Sequence, residues 1–308
     1  MLAGLDVTTI ALLAIAGIAL DLMLGEVRRW HPLVGFGRLA DALERRMNRG
    51  EYRFAKGAGA WLLAVIPLVL LSYYSAASLV LHAVLLYFCI GLRSLRDHTL
   101  PIERALADND LPEARRLTAR IVSRDTTHAD ESNLAKASVE SLLENGNDAV
   151  FGTLFWFIVA GAPGAVLFRL ANTLDAMWGY RTPRFLAFGC AAARIDDALN
   201  WIPARLTAAS YALLGNTRVA WRCWRSQAPA WSSPNAGPVM SAGAGALGLA
   251  LGGAATYDGV IENRPPLGIG RGASASDIGR AWRLVAGTTA LWVGVLSVAV
   301  VLERVMHA

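Results

Sequence analysis

Two apolar stretches limit this chain more than anything else in it. Val7 to Leu24 and Leu284 to Leu302 are each about as long as an α-helix needs to be to cross a bilayer. No Lys or Arg precedes the first, so it lacks the basic segment that opens a secretory signal and reads as a retained transmembrane helix. Composition agrees. The chain is 55% hydrophobic and only 17% charged, where a soluble domain carries about 25% charged residues. This is the profile of an integral membrane protein with sizeable polar loops.

The basic residues set a topology. Residues 25–57 carry eight of them, Arg28, Arg29, Arg38, Arg45, Arg46, Arg49, Arg53 and Lys56, which places this loop in the cytoplasm and the N-terminus outside. Spans are expected near 58–72 and 76–92, joined by an outer hairpin at Ser72-Tyr73-Tyr74-Ser75. Residues 93–148 then form a polar, helical cytoplasmic stretch. The next apolar segment, 149–170, is broken by Gly161-Ala162-Pro163-Gly164. It is either re-entrant or spanning. The arginine-rich 171–283 that follows favours the re-entrant form; a full span paired with a weak return span near Trp201 to Leu214 is the alternative. The last span is 284–302. The expected fold is an all-α polytopic membrane protein with about four clear transmembrane helices, a re-entrant or kinked apolar segment and helical cytoplasmic loops. One membrane-embedded domain, 1–308, is expected.

Several familiar sites are argued against. Cys89, Cys190 and Cys223 have no metal-ligand spacing, and an odd, scattered set does not build a disulfide framework. The histidines do not cluster. Gly243-Ala-Gly245-Ala-Leu-Gly248 matches the dinucleotide-binding pattern, but no strand run precedes it and no βαβ unit surrounds it. It reads as close helix packing, with a phosphate cradle at a helix N-terminus as the other option. There is no Walker A loop. Arginine far outnumbers lysine, which is confined to Lys56 and Lys136. That bias reflects either bidentate recognition of phosphate and carboxylate or coding bias and loop retention.

The polar stretch 121–148 carries the chemistry. Thr127-x-x-Asp130 fits a capping box, with the helix starting near His128. Such a helix puts Lys136, Glu140 and Glu144 on one face, with Asp148 continuing it. Lys136 and Glu140 form a stabilising pair. Glu140 and Glu144 repel each other, and a cation between them would relieve this. Magnesium, which takes one or two carboxylates with waters and substrate phosphates, suits Glu140, Glu144 and Asp148. The plain alternative is a solvated acidic face. Beyond the apolar segment, Arg169, Asn172 and Asp175 share a drifting helix face. They are either functional or the wet side of an interfacial helix. Farther on, Asp196 and Asn200 share a face, and Arg194 is placed to pair with Asp197.

The ordered motifs resemble the cobinamide-phosphate synthase family of cobalamin biosynthesis over nearly the whole chain. They include Asp21-Leu-Met-Leu-Gly-Glu26, Trp30-His31-Pro32-Leu33-Val34-Gly35, Val122-Ser-Arg-Asp-Thr126, Glu140 through Asn145 and Asn172-Thr-Leu-Asp175. Arg194-Ile-Asp-Asp197, Asn200-Trp-Ile-Pro203 and Ser233-Pro-Asn-Ala-Gly237 follow. In one departure, Ala149 stands after Asp148 where many relatives have glycine; the acid itself is kept.

The resemblance implies a carboxylate–amine ligase. It would join (R)-1-aminopropan-2-ol, or its O-phosphate, to a propionate of adenosylcobyric acid, with ATP and Mg²⁺. It also implies an inner-membrane location with the site on the cytoplasmic face, contact with lipid and no nucleic-acid partner, with a homo-oligomer or contacts with other corrinoid enzymes open. Asp125, Glu140, Glu144 and Asp175 are the catalytic candidates. Arg124, His128, Asn172, Asp197, Asn200 and Asn235 are the candidates for substrate and phosphate. Glu140, Glu144 and Asp148 are the metal candidates. The rivals are a corrinoid transporter, which would use broken helices around a midplane site, and a membrane scaffold for the pathway. The few spans, the absence of an inverted repeat and the loop position of the acids speak against a transporter.

Overall fold

A computed structural model describes residues 4–27, 31–75, 78–257 and 259–307. Arg28, Arg29 and Trp30, and Ala76 and Ala77 at the start of the expected 76–92 span, lie outside them. The described chain is mostly helical: α1 (Val7–Leu24), α2 (Pro32–Met47), α3 (Arg53–Ser75), α4 (Leu79–Cys89), α5 (Leu92–Ala107), α6 (Leu111–Thr118), α7 (Glu131–Gly146), α8 (Gly152–Trp178), α9 (Cys190–Leu214), α10 (Thr217–Gln227) and α11 (Ala236–Leu247). A sheet of β1 (Leu249–Tyr257), β2 (Val260–Leu267) and β3 (Arg271–Gly272) follows, and then α12 (Ala275–His307). Five helical stretches are long and apolar enough to cross a membrane: Val7–Leu24, Arg53–Ser75, Leu79–Ala107, Glu131–Trp178 and Ala275–Met306. The protein is an all-α, multi-pass membrane protein, apart from the small sheet.

Two details differ from the sequence expectation. Ser72-Tyr73-Tyr74-Ser75 is the last turn of α3 and not a hairpin. The helix expected from His128 starts at Glu131, because Asp130 rather than Thr127 is its cap and accepts from the Asn133 amide at 2.8 Å.

The internal contacts divide the chain into two compact units, where one domain is expected from the sequence. The first comprises 1–91, 148–200 and 293–308. Its most constrained element is α8, which is two helices in sequence. Ala160 and Gly161 leave helical geometry, Gly161 with φ 64° and ψ −153°. The chain then doubles back on itself. A Cβ on Gly152 would collide with the Phe168 ring, and one on Gly164 with the Trp156 carbonyl; in a straight helix these pairs would be more than about 10 Å apart. The break strands an amide, and His82 of α4 takes it: Ala162 N–H donates to the buried His82 Nδ1 at 3.0 Å. Non-helical backbone is tolerated at membrane depth only where protein covers it in this way.

The second unit comprises 92–147 and 201–292. Here α7 is the buried centre, with Leu134, Val139, Leu142 and Leu143 fully enclosed. Tyr211 of α9 donates its hydroxyl to the Leu143 carbonyl at 3.1 Å, and Thr207 donates to the Asn147 side chain at 2.9 Å. β1 pairs antiparallel with β2, closing on Tyr257 opposite Val260, and parallel with β3. The Gly243–Gly248 glycines end α11 and lead into β1, the reverse of the order a dinucleotide fingerprint requires.

Candidate functional site

In the second unit, Glu140 projects from the buried centre of α7 and is only 2% exposed. The expected Lys136–Glu140 pair does not form the contact, since Lys136 Nζ donates to the Ala254 carbonyl at 3.3 Å. Instead Glu140 accepts from Arg264 of β2 through both oxygens, from Arg124, and from the Gly252 amide at 2.8 Å. Four hydrogen bonds fill the acceptor positions of a carboxylate. Burial works against the charge of Arg264, but the Glu140 partnership outweighs it and holds this guanidinium above its ordinary pKa. Glu140 is therefore a clamp holding the 121–126 loop and the β-hairpin to α7. It cannot also be the cation ligand expected beside Glu144.

Two clefts open on either side of Arg124, which lines both. The larger, of about 590 Å³, is lined by Glu140, Glu144, Asn145, Trp231, Glu262 and Arg264, among others. The smaller, of about 280 Å³, is lined by Asp125, His128, Asn133 and Thr256 over an alanine floor. Asp125 accepts from the Thr127 amide at 2.8 Å, and the hydrogen bonds from Thr127 keep its carboxyl below the usual carboxylate range. Asn235 is buried behind the larger cleft, where its Oδ1 accepts from Arg205 at 3.0 Å while Ser233 and Ala236 form the wall. It is a wall support rather than a lining residue.

The remaining candidates assemble in the first unit. Asn200 donates to Asp148 at 2.7 Å, and Asn172 makes a long contact to Asp196 at 3.4 Å. Asp148 and Asp175 both act electrostatically on Asp196. Burial, then these two neighbours, pushes Asp196 well above the ordinary carboxylate range. Asp197 is raised by burial as well, opposed by Arg181. Arg169 faces the charges of Asp148 and Glu26, and its buried Nε has no hydrogen-bond partner among the described residues.

Comparison with known proteins decides the family. The family described as CobD/Cbib protein matches residues 14–285. The chain belongs to the CobD/Cbib family. A relative in Stutzerimonas stutzeri, named cobalamin biosynthesis protein CobD, is 57% identical over 294 residues, covering 94% of this chain and 97% of that protein. Proteins of the same name in Chromobacterium violaceum and Mycobacterium tuberculosis are 52% and 36% identical, covering 94% and 86% of this chain and 97% and 88% of theirs. No solved structure matches the chain.

The candidate residues fall into the two units: Arg124, Asp125, His128, Glu140, Glu144 and Asn235 in one, Asp148, Asn172, Asp175, Asp197 and Asn200 in the other. Among the described residues no three His, Cys, Asp or Glu side chains come together as a metal site. Glu144 and Glu262 both line the larger cleft, and Asn145 beside them donates its amide N–H to Ser141. This donor set suits magnesium, provided waters and substrate phosphates complete the shell.

Sequence reasoning missed three residues. Arg264 was counted only among loop arginines, because nothing in the linear pattern links it to Glu140. Trp231 lines the larger cleft with a buried indole N–H that has no partner among the described residues. Asp196 was noted for its helix face, while only Asp197 became a candidate.

Proposed function

We propose that this chain is the cobalamin-biosynthesis enzyme that joins a corrin propionate of adenosylcobyric acid to (R)-1-aminopropan-2-ol or its O-phosphate. In this reading it is an ATP-dependent carboxylate–amine ligase in the bacterial inner membrane, with the clefts facing the cytoplasm. Family membership over residues 14–285 carries this reading. The paired clefts around one arginine support it.

A carboxylate is a poor electrophile. ATP would convert the propionate to an acyl phosphate, releasing ADP; the amine then attacks the acyl carbon and inorganic phosphate leaves. Magnesium, when bound, would neutralise charge developing on the phosphate oxygens, with Glu144 and Glu262 as its holders. Arg124 is pinned by Glu140 through Nη2, which leaves its other N–H groups for anionic oxygens in either cleft. Trp231, whose buried N–H has no partner among the described residues, would be a second donor at the larger cleft.

The smaller cleft suits the small amine. Asp125 stays ionised, which fits it to bind the ammonium and makes it a poor base. His128 in the same cleft is the better acceptor for the proton lost before attack.

Purified protein in detergent, given adenosylcobyric acid, aminopropanol phosphate, magnesium and ATP, is expected to produce the amide by mass with release of ADP. Absence of the amide with both the free and the phosphorylated amine would refute the ligase reading. Corrinoid flux into sealed vesicles without product would favour a transporter.

A further inference from the structure

We propose that α10 is an interfacial helix whose outer face binds the phosphate headgroups of anionic phospholipids. Spacing builds the face: Arg218, Trp221, Arg222 and Arg225 stand at i, i+3, i+4 and i+7, one side of a helix. All four are exposed, whereas Ala220 and Cys223 on the other side are fully buried. Trp221 meets the Trp224 ring edge-on at 5.0 Å. None of the three guanidinium groups makes an ion pair among the described residues. The sequence gives the reason: no Asp or Glu occurs between Asp197 and Asp258. Each arginine presents a planar fork matched to phosphate.

Position selects lipid over other polyanions. Two residues, Gly215 and Asn216, separate the end of α9 from the start of α10. Leu214, the last residue of α9, lies 3.5 Å from where a Cβ on Gly287 would sit. Four residues earlier, Ser210 accepts a hydrogen bond from Trp292 at 3.0 Å. Gly287 and Trp292 belong to α12, just inside its apolar run, with Arg280 and Arg283 preceding them. Leu213 and Leu214 are themselves exposed. The helix therefore starts where an apolar span gives way to polar residues. An Arg- and Trp-bearing amphipathic helix at that level belongs among headgroups. Nothing in this inference depends on the ligase reading.

The test uses the intact protein in nanodiscs of phosphatidylcholine alone and of phosphatidylcholine mixed with phosphatidylglycerol. Amide hydrogen exchange over 217–227 is expected to slow at least roughly five-fold in the anionic discs, the factor one such cation contributes near an anionic surface. In parallel, the triple variant R218Q/R222Q/R225Q is expected to lose most of the phosphatidylglycerol that copurifies with wild type, while the corresponding triple lysine variant keeps it. Equal exchange in both discs overturns the proposal, as does a glutamine variant that retains the wild-type lipid ratio. Protection that appears only when nucleic acid or an acidic soluble protein is added would assign the face to that partner instead. If the glutamine variant does not fold, the wild-type exchange comparison still decides.

Discussion

Arg264 reaches Glu140 across 124 residues of sequence and grips both of its oxygens, Nη1 to Oε2 at 2.9 Å and Nη2 to Oε1 at 3.2 Å. The pair is nearly dry, with Glu140 side chain 3% and Arg264 side chain 12% exposed. It joins the β-hairpin to α7, and Arg124 adds the 121–126 loop to the same carboxylate. One side chain thus fixes the walls of both clefts.

Removing that carboxylate leaves two buried cations without a partner. Glu140→Ala is expected to destabilise the protein by about 3–5 kcal/mol, the usual consequence of breaking a buried ion pair from one side. The check is the thermal unfolding midpoint in detergent. Added magnesium should not restore it, because the role is to hold arginines rather than a metal. An unchanged midpoint would mean that the clamp does not hold the hairpin.

Trp231→Phe keeps an aromatic side chain but removes the N–H together with the five-membered part of the indole, so the test is read on substrate affinity rather than on stability. If a substrate oxygen accepts that hydrogen in the loaded enzyme, its loss removes about 1 kcal/mol, and the KM of one substrate should rise about five-fold with little change in kcat. Equal KM values for all substrates would take Trp231 out of the binding set.

Glu144→Gln tests where magnesium binds. It should shift the magnesium dependence of amide formation to concentrations about ten-fold higher or more, as loss of one charged ligand from a few-ligand shell would do. Glu262→Gln should act in the same direction. A wild-type magnesium profile in both variants would place the metal elsewhere.

The sequence made the helical, membrane-embedded character plain because apolar runs of span length have few other solutions. The break at Gly161-Ala162-Pro163-Gly164 was also visible, since glycine and proline punctuate locally. The hairpin was not recognised, although its signal was present: Tyr257 pairs with Val260, and Asp258-Gly259 between them is a favoured two-residue connection in sequence. β1 is rich in Gly and Ala, so no strand-like run drew attention to it. Spacing puts the acids of α7 on one face but does not supply the partners of Glu140. Helical spacing reveals i,i+4 neighbours such as Lys136, but Arg264 comes from another element through tertiary packing. The placing of Asp148 on that face is a further case. The π-helical turn Asn147–Phe151 interrupts the helical register at that point, and the heptad-like count cannot be carried through it.

The fold of α8 depends on one backbone position. Gly161, with φ 64° and ψ −153°, occupies a region essentially closed to side-chain-bearing residues. Gly161→Ala should therefore lose about 1–3 kcal/mol, read as a lower unfolding midpoint in detergent. His82→Ala should add a further loss by stranding the Ala162 amide. Wild-type stability in Gly161→Ala would show that the chain can continue as a straight helix.

Asp196 provides a pH test. It is only 7% exposed, and burial together with Asp148 and Asp175 raises its pKa well above the ordinary value. Between the unfolded and folded values the native state holds a proton that the unfolded chain has released. Stability from this group is thus full below the unfolded pKa and falls as pH rises through the folded one. Asp196→Asn keeps the Asn172 contact and removes the ionisation, so it should unfold at a higher temperature than wild type at neutral pH. The difference should shrink as pH is lowered toward the unfolded carboxylate range. Unfolding midpoints measured over a pH series in one detergent decide this. A gap between variant and wild type that stays constant with pH would mean that Asp196 has the same pKa in the folded and unfolded protein, and would overturn the raised value.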